Sequence, residues 1–122
     1  MIKVYVYSGC DTCRRALKWL RGRGIAFEEL PIRQTPPSPA ELRRMLAALD
    51  GNWRKLFNVA GADYRELGLK DRLAAMDEAG RLALLAGNGN LVKRPFLLGP
   101  SVGLTGFDET VWSQALAGAD KA

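Results

Sequence analysis

The chain opens on IKVYVY, residues 2–7, a run of β-branched and aromatic residues that predicts a buried strand. Ser8 and Gly9 then turn the chain. From Asp11 to about Gly24 the apolar residues Cys13, Ala16, Leu17 and Leu20 recur at helical spacing, and Arg14, Arg15, Lys18 and Arg21 take the other face. Gly22 and Gly24 are the stop signals of that helix. IAFEEL, residues 25–30, reads as a second short strand. The β–α–β order predicts parallel strands joined by a right-handed crossover.

The pattern then changes. PIRQTPPSP carries four prolines and is expected neither to continue the strand nor to start a helix before Ser38. Ser38-Pro39-Ala40-Glu41 combines a capping box with proline at the first helical position. Leu42, Met45, Leu46 and Leu49 form the expected buried stripe of this helix, which Gly51 ends. Asp63 with Glu66 repeats the capping pattern over a shorter span. Residues 70–76 and 77–87 read as two more short helices, the second capped by Asp77. Residues 36–88 are therefore expected to be an all-helical insert.

After GNGNLVKRP the strand pattern returns. FLLG and VGLTG predict a hairpin around Gly99-Pro100-Ser101. DETVWSQAL predicts a closing helix capped by Asp108, with Val111, Trp112 and Ala115 at helical spacing, and the tail from Gly118 is expected to fray. No internal repeat is found. The order β-α-β, helical insert, β-β-α is that of an α/β, thioredoxin-like domain with a four-stranded mixed sheet. The 122 residues suffice for one such domain, 1–122, with its insert at about 36–88.

Composition narrows the chemistry. At 48% hydrophobic and 25% charged, the chain is ordinary for a globular protein. MIKVYVY is too short for the apolar region of a signal peptide, and no apolar stretch reaches membrane-spanning length. The expectation is a cytoplasmic protein with no membrane partner, in a compartment where a lasting structural disulfide is disfavoured. Histidine is absent, which removes a Cys–His pair, the commonest general base and most zinc sites. With two cysteines, a zinc site would need carboxylates or a second chain, and no metal is expected.

The net charge of +5 and a pI of about 9.6 come mainly from twelve arginines. Such a balance attracts phosphate and other oxyanions, nucleic acid or an acidic protein face, or simply solvates helix surfaces. No block of five like charges occurs and no aromatics are interleaved with the basic residues, so direct nucleic-acid binding is not expected.

Cys10-Asp11-Thr12-Cys13 stands where the first strand gives way to the first helix, and a C-x-x-C beside a βαβ pattern is a redox signature. Cys10 precedes the first helical turn, whose unpaired N–H groups and positive dipole end favour an anion, here the nucleophilic thiolate. Arg14 and Arg15 add positive charge one turn on. Cys13, inside the helix and better desolvated, suits the resolving role. Two small apolar residues three apart by chance is the alternative. Pro95, just before a strand in KRPFLL, is either an ordinary strand-start proline or the cis proline that thioredoxin-like folds set against the active-site cysteine. Lys93 and Arg94 bring cations beside it.

Three segments in this order, YSGCDTCRRALKWLRGRGIAFE, NVAGADYRELGL and LVKRPFLL…GLTGFDE, resemble the arsenate reductase-like (ArsC) family. That family also contains the Spx transcription regulators and the YffB-type proteins, and N-V-A-G…Y-R and GFDE look more like those two branches. The resemblance runs from about residue 2 to 116. It implies a catalytic cysteine at Cys10 and an arginine before a cis proline at Arg94-Pro95.

It also implies where the chain departs from the reductases of the family, which cradle an oxyanion with three arginines. Only the second is matched, by Arg94. Asn58 stands at the first position, with Arg54 and Arg65 nearby, and Gly106 or Phe107 at the third. Weak or absent arsenate reduction is the expectation. The implied activity is that of a thiol–disulfide oxidoreductase: Cys10 the nucleophile, Cys13 the resolving thiol, Arg94 the anion stabiliser, and Arg14, Asn58 and Pro95 at the substrate. No bound cofactor is expected; glutathione or a thioredoxin- or glutaredoxin-type protein would be the reductant. The alternative is an Spx-like regulator that docks on RNA polymerase and uses the cysteine pair as a redox switch.

Overall fold

A computed structural model describes residues 1–117, and the expected fraying from Gly118 lies outside them. Strand β1 (Ile2–Val6) leads through a turn into helix α1 (Asp11–Gly22), and β2 (Phe27–Pro31) returns parallel to β1. After a helical stretch, β3 (Phe96–Leu98) and β4 (Gly103–Thr105) form an antiparallel hairpin, with β3 antiparallel to β1. The sheet order is β2-β1-β3-β4. This is a four-stranded mixed sheet of the thioredoxin-like kind.

Strand β2 runs to Pro31, one residue further than its proline suggested. It lies at the sheet edge and pairs only with β1, where a missing N–H costs little. Pairing continues past it, as Ile32 N–H donates to the Val6 carbonyl at 2.9 Å.

Alternation along β1 divides the core. Tyr5, with Phe96 and Leu98, faces a cluster built from Ile32, Leu42, Met45, Phe57, Leu69 and Leu85. Val4, Val6 and Leu97 face a second cluster with Cys13, Ala16, Leu20 and Trp112. The helical insert covers the first face. Helix α1 and the closing helix cover the second.

The insert begins with α2 (Pro39–Ala48), whose capping box is complete: Ser38 Oγ accepts from Glu41 N–H at 3.2 Å, and Glu41 Oε1 accepts from Ser38 N–H at 3.0 Å. The same carboxylate accepts from the Tyr5 hydroxyl at 2.7 Å and Lys3 Nζ at 3.4 Å, so the cap also ties the insert to β1. Burial opposes ionisation of Glu41, but the Ser38 N–H, the Tyr5 hydroxyl and Lys3 hold its carboxyl below the usual range. Leu42 and Met45 are buried, and Leu46 and Leu49 pack against that cluster half-buried.

Beyond a 3₁₀ turn at Trp53–Leu56 come α3 (Ala62–Glu66), α4 (Leu69–Arg72) running into a 3₁₀ turn at Leu73–Ala75, and α5 (Glu78–Gly87). Asp77 caps α5, accepting from Gly80 N–H at 2.8 Å. Asp63 is not the cap its spacing suggested. Gly61 holds that position without a side-chain bond, and the Asp63 carboxylate is engaged by Asn88 and Asn90 instead.

Closing helix α6 (Glu109–Ala115) is capped by Asp108, which accepts from Val111 N–H at 3.1 Å. Trp112 within it and Leu116 at its C-cap, four apart, are buried, whereas Val111 and Ala115 are exposed. A helix this short touches the sheet along a narrow stripe, and the large Trp112 ring sets which stripe. Trp112 meets Phe107 edge-on at 4.9 Å, and its indole N–H donates to the Gly106 carbonyl at 3.1 Å. Among the described residues no helix is long and apolar enough to cross a membrane.

Candidate active site

Cys10 is the N-cap of α1, in an extended backbone conformation. Its Sγ accepts from Cys13 N–H at 3.3 Å, the bond that serine or aspartate makes at most helix starts. The backbone is pinned on both sides: Cys10 N–H donates to the Tyr7 carbonyl, and the Cys10 carbonyl accepts from Arg14 N–H, each at 3.1 Å. Both cysteines are free thiols; Cys10 is partly exposed, and Cys13 is 1% exposed. Burial pushes the Cys13 thiol up to about 12, and Cys10 adds to the rise through its bond and its charge. The backbone at Tyr7 and the Arg94 guanidinium act in the opposite direction.

Arg94 and Pro95, just before β3, come near enough for the guanidinium to act on Cys13. The Arg94–Pro95 bond is cis, as the resemblance implied. The Arg94 guanidinium lies 5.2 Å from the centroid of the Tyr7 ring, and its Nη2 donates to the Asn90 carbonyl at 3.5 Å. Its Nη1 is buried without a hydrogen-bond partner. A buried guanidinium nitrogen with nothing to bond is costly, and an anion at that point would relieve it.

The remaining expected residues are placed differently. Arg14 is exposed and engaged at its own helix start, paired with Asp11 and donating to the Ser8 carbonyl. Asn58 braces the insert, its Nδ2 donating to the Asn90 carbonyl at 3.3 Å and its N–H to the Leu91 carbonyl at 2.8 Å. Arg65 donates to the Ala60 carbonyl within its own segment. Arg54 stacks on Trp53 at 4.3 Å and lines a groove of about 510 Å³ with Lys93, Gly106 and Phe107.

Residues not singled out from the sequence complete the site. Arg33 stacks on the Tyr7 ring at 4.0 Å and donates from Nε to Asn90 Oδ1 at 2.6 Å. Asn90 also donates from Nδ2 to Asp63 at 3.2 Å, alongside Asn88 at 2.9 Å. These two amides, then Arg33 and Arg94, hold the Asp63 carboxyl below its usual range. One signal was available. Tyr7 and Arg33 follow the C-terminal ends of two parallel strands, where open α/β sheets gather binding groups.

Comparison with known proteins shows the family. The model of the ArsC family matches residues 5–115. The chain belongs to the ArsC family. Among ArsC-family relatives, YusI of Bacillus subtilis, itself uncharacterized, is 41% identical over 86% of this chain and 89% of its own. An arsenate reductase of Rhizobium meliloti is 31% identical over 81% of this chain and 69% of its own. A global transcriptional regulator Spx of Streptococcus agalactiae is 25% identical over 89% of this chain and 78% of its own. The crystal structure of a putative ArsC family related protein from Bacteroides fragilis superposes with a TM-score of 0.88 at 34% identity, covering 93% of this chain and 96% of that one.

Proposed function

We propose that this ArsC-family chain is a thiol–disulfide oxidoreductase with Cys10 as nucleophile, Cys13 as resolving thiol and Arg94 as anion stabiliser. The observation that carries the reading is the Cys10 Sγ held at the N-cap of α1 by Cys13 N–H, with the Cys13 thiol buried beneath it. In the first step the Cys10 thiolate attacks one sulfur of a disulfide. A new S–S bond forms, the old one breaks, and a thiolate leaves to take a proton from water. In the second step Cys13 loses its proton and attacks Cys10, releasing the second thiol and leaving a Cys10–Cys13 disulfide. Two electrons from glutathione or a thioredoxin- or glutaredoxin-type protein, in a thiol-rich cytoplasm, restore the pair.

The high Cys13 value fits this order. Two of the influences that raise it, the hydrogen bond with Cys10 and the Cys10 charge, vanish once Cys10 is in a mixed disulfide. Burial, the largest influence, remains, and the loss of the other two eases deprotonation of Cys13 at that step.

Arsenate is the poorer substrate in this reading. A tetrahedral dianion must shed hydration, and each missing arginine contact withholds about 1.5–3 kcal/mol. The test is turnover of a glutathione mixed disulfide and of arsenate by one preparation, with Cys10→Ser and Cys13→Ser beside it. Disulfide turnover is expected in the wild type, none in Cys10→Ser, and a trapped mixed disulfide in Cys13→Ser. Arsenate turnover faster than disulfide turnover would overturn the substrate assignment. A second reading, a redox-switched regulator that docks on RNA polymerase, is favoured by the Spx relatives. Co-purification with polymerase subunits, without turnover of any disulfide, would decide for it.

A further inference from the structure

Two guanidinium groups share the Tyr7 ring. Arg33 lies 4.0 Å and Arg94 5.2 Å from its centroid. Both are cations on one ring, and among the described residues neither has a carboxylate at ion-pair distance. Asp63, the acid whose ionisation both favour, bonds to the amides of Asn88 and Asn90 instead.

The Asn90 residue spaces the two cations. Its Oδ1 takes the Arg33 Nε–H, and its carbonyl takes the Arg94 Nη2–H. These bonds leave the buried Arg94 Nη1 without a partner, and the Arg33 side chain beside it is exposed. The Tyr7 ring in turn lies against Gly9, where a Cβ would come within 2.6 Å of it. Gly9 is the residue before Cys10.

We infer that Arg33 and Arg94, spaced by Asn90 on the Tyr7 ring, form a carboxylate subsite for the thiol or disulfide that reaches Cys10. The site suits a planar carboxylate, which offers one oxygen to each guanidinium, better than a tetrahedral dianion that calls for a third. Arg33 is then a specificity-determining residue, selecting acidic thiols and disulfides such as peptide thiols with a free carboxylate over neutral or cationic ones. The inference deepens the reductase reading but needs only a reactive thiol at Cys10.

The test alkylates the reduced full-length protein with iodoacetate and with iodoacetamide. Each reagent forms an S–C bond and expels iodide, and they differ in one carboxylate. The readout is the ratio of the two rates at Cys10, followed by peptide mass spectrometry. Arg33→Ala is expected to lower the iodoacetate-to-iodoacetamide ratio by on the order of fivefold, the scale of an exposed charge contact. Arg33→Glu should lower the ratio further. An unchanged ratio in both variants would overturn the inference. So would an equal fall in both rates, which would mean that Arg33 acts on the thiol and not on the carboxylate. Absence of disulfide turnover would sink the reductase reading alone, because alkylation does not depend on it.

Discussion

The two faces of the sheet are covered by different means, and each supplies one half of the site. On one face, α1 and α6 pack as regular helices, with Trp112, Leu20 and Ala16 fully buried and Cys13 among them. That face delivers sulfur. On the other, α2 and α5 with shorter helical pieces and 3₁₀ turns cover Tyr5 and Phe96 over an apolar cluster, and side-chain hydrogen bonds join the pieces: Glu41 to Tyr5, Asn58 to Asn90, Asn88 and Asn90 to Asp63. The Asn90 network on that face holds the cations. A regular helix places its nucleophile by geometry alone, since the N-cap position is fixed by the first turn. An irregular insert places its charges through a network, and each bond of that network is a separate requirement.

Substitutions should break this contrast in order of size. Trp112→Ala empties the largest buried side chain of the α1 face and is expected to cost about 3–5 kcal/mol, read as a lower urea midpoint. A loss under 1 kcal/mol would show that α6 contributes little to that face. On the insert face the sensitive point is Gly89, where a Cβ would sit 1.8 Å from the Ile32 carbonyl oxygen and 3.1 Å from Arg33 Cα. Gly89→Ala must push apart the segments that carry Asn90 and Arg33. It is expected to cost about 1–3 kcal/mol and to lower the iodoacetate preference of Cys10. Full stability with an unchanged preference would mean that the close approach is not what positions Arg33.

A pH dependence has the same sign on both faces. The folded state holds the Cys13 proton up to about 12, above an ordinary thiol at about 8.5. In that window the native chain binds more protons than the unfolded one, so stability falls as pH rises from about 9 toward 12. Tyr5, raised by burial and by its bond to Glu41, continues the fall at still higher pH. Urea midpoints at pH 8, 9.5 and 10.5 should decline, and the decline should flatten in Cys13→Ala. An equal decline in that variant would place the titration elsewhere.

Legibility in the sequence follows the same division. Strand β1, helix α1 and the N-cap cysteine were readable because each signal is local: alternation, a 3.6-residue period, and a cysteine at the junction. The Ser38 box and the Asp77 and Asp108 caps were readable for the same reason. Asp63 shows the limit. Its spacing imitates a cap, but the bonds its carboxylate makes come from residues 25 and 27 positions away. Val111 shows another, since a seven-residue helix has too few turns to define a face before it meets its partner.

Sequence by itself determined the order of the elements, the thiol pair and its place at a helix start, because those depend on neighbours three or four residues apart. Only the tertiary structure decided which charges gather on the Tyr7 ring. Arg33 and Asn90 are 57 positions apart, and no period or spacing links them. They meet because β2 ends beside β1 and the turn at Gly89 lacks a side chain, allowing its backbone to approach Ile32. Hydrogen bonds and ring stacking act over a few ångströms of space, whatever the separation along the chain. The cation pair on Tyr7 is therefore a property of the fold.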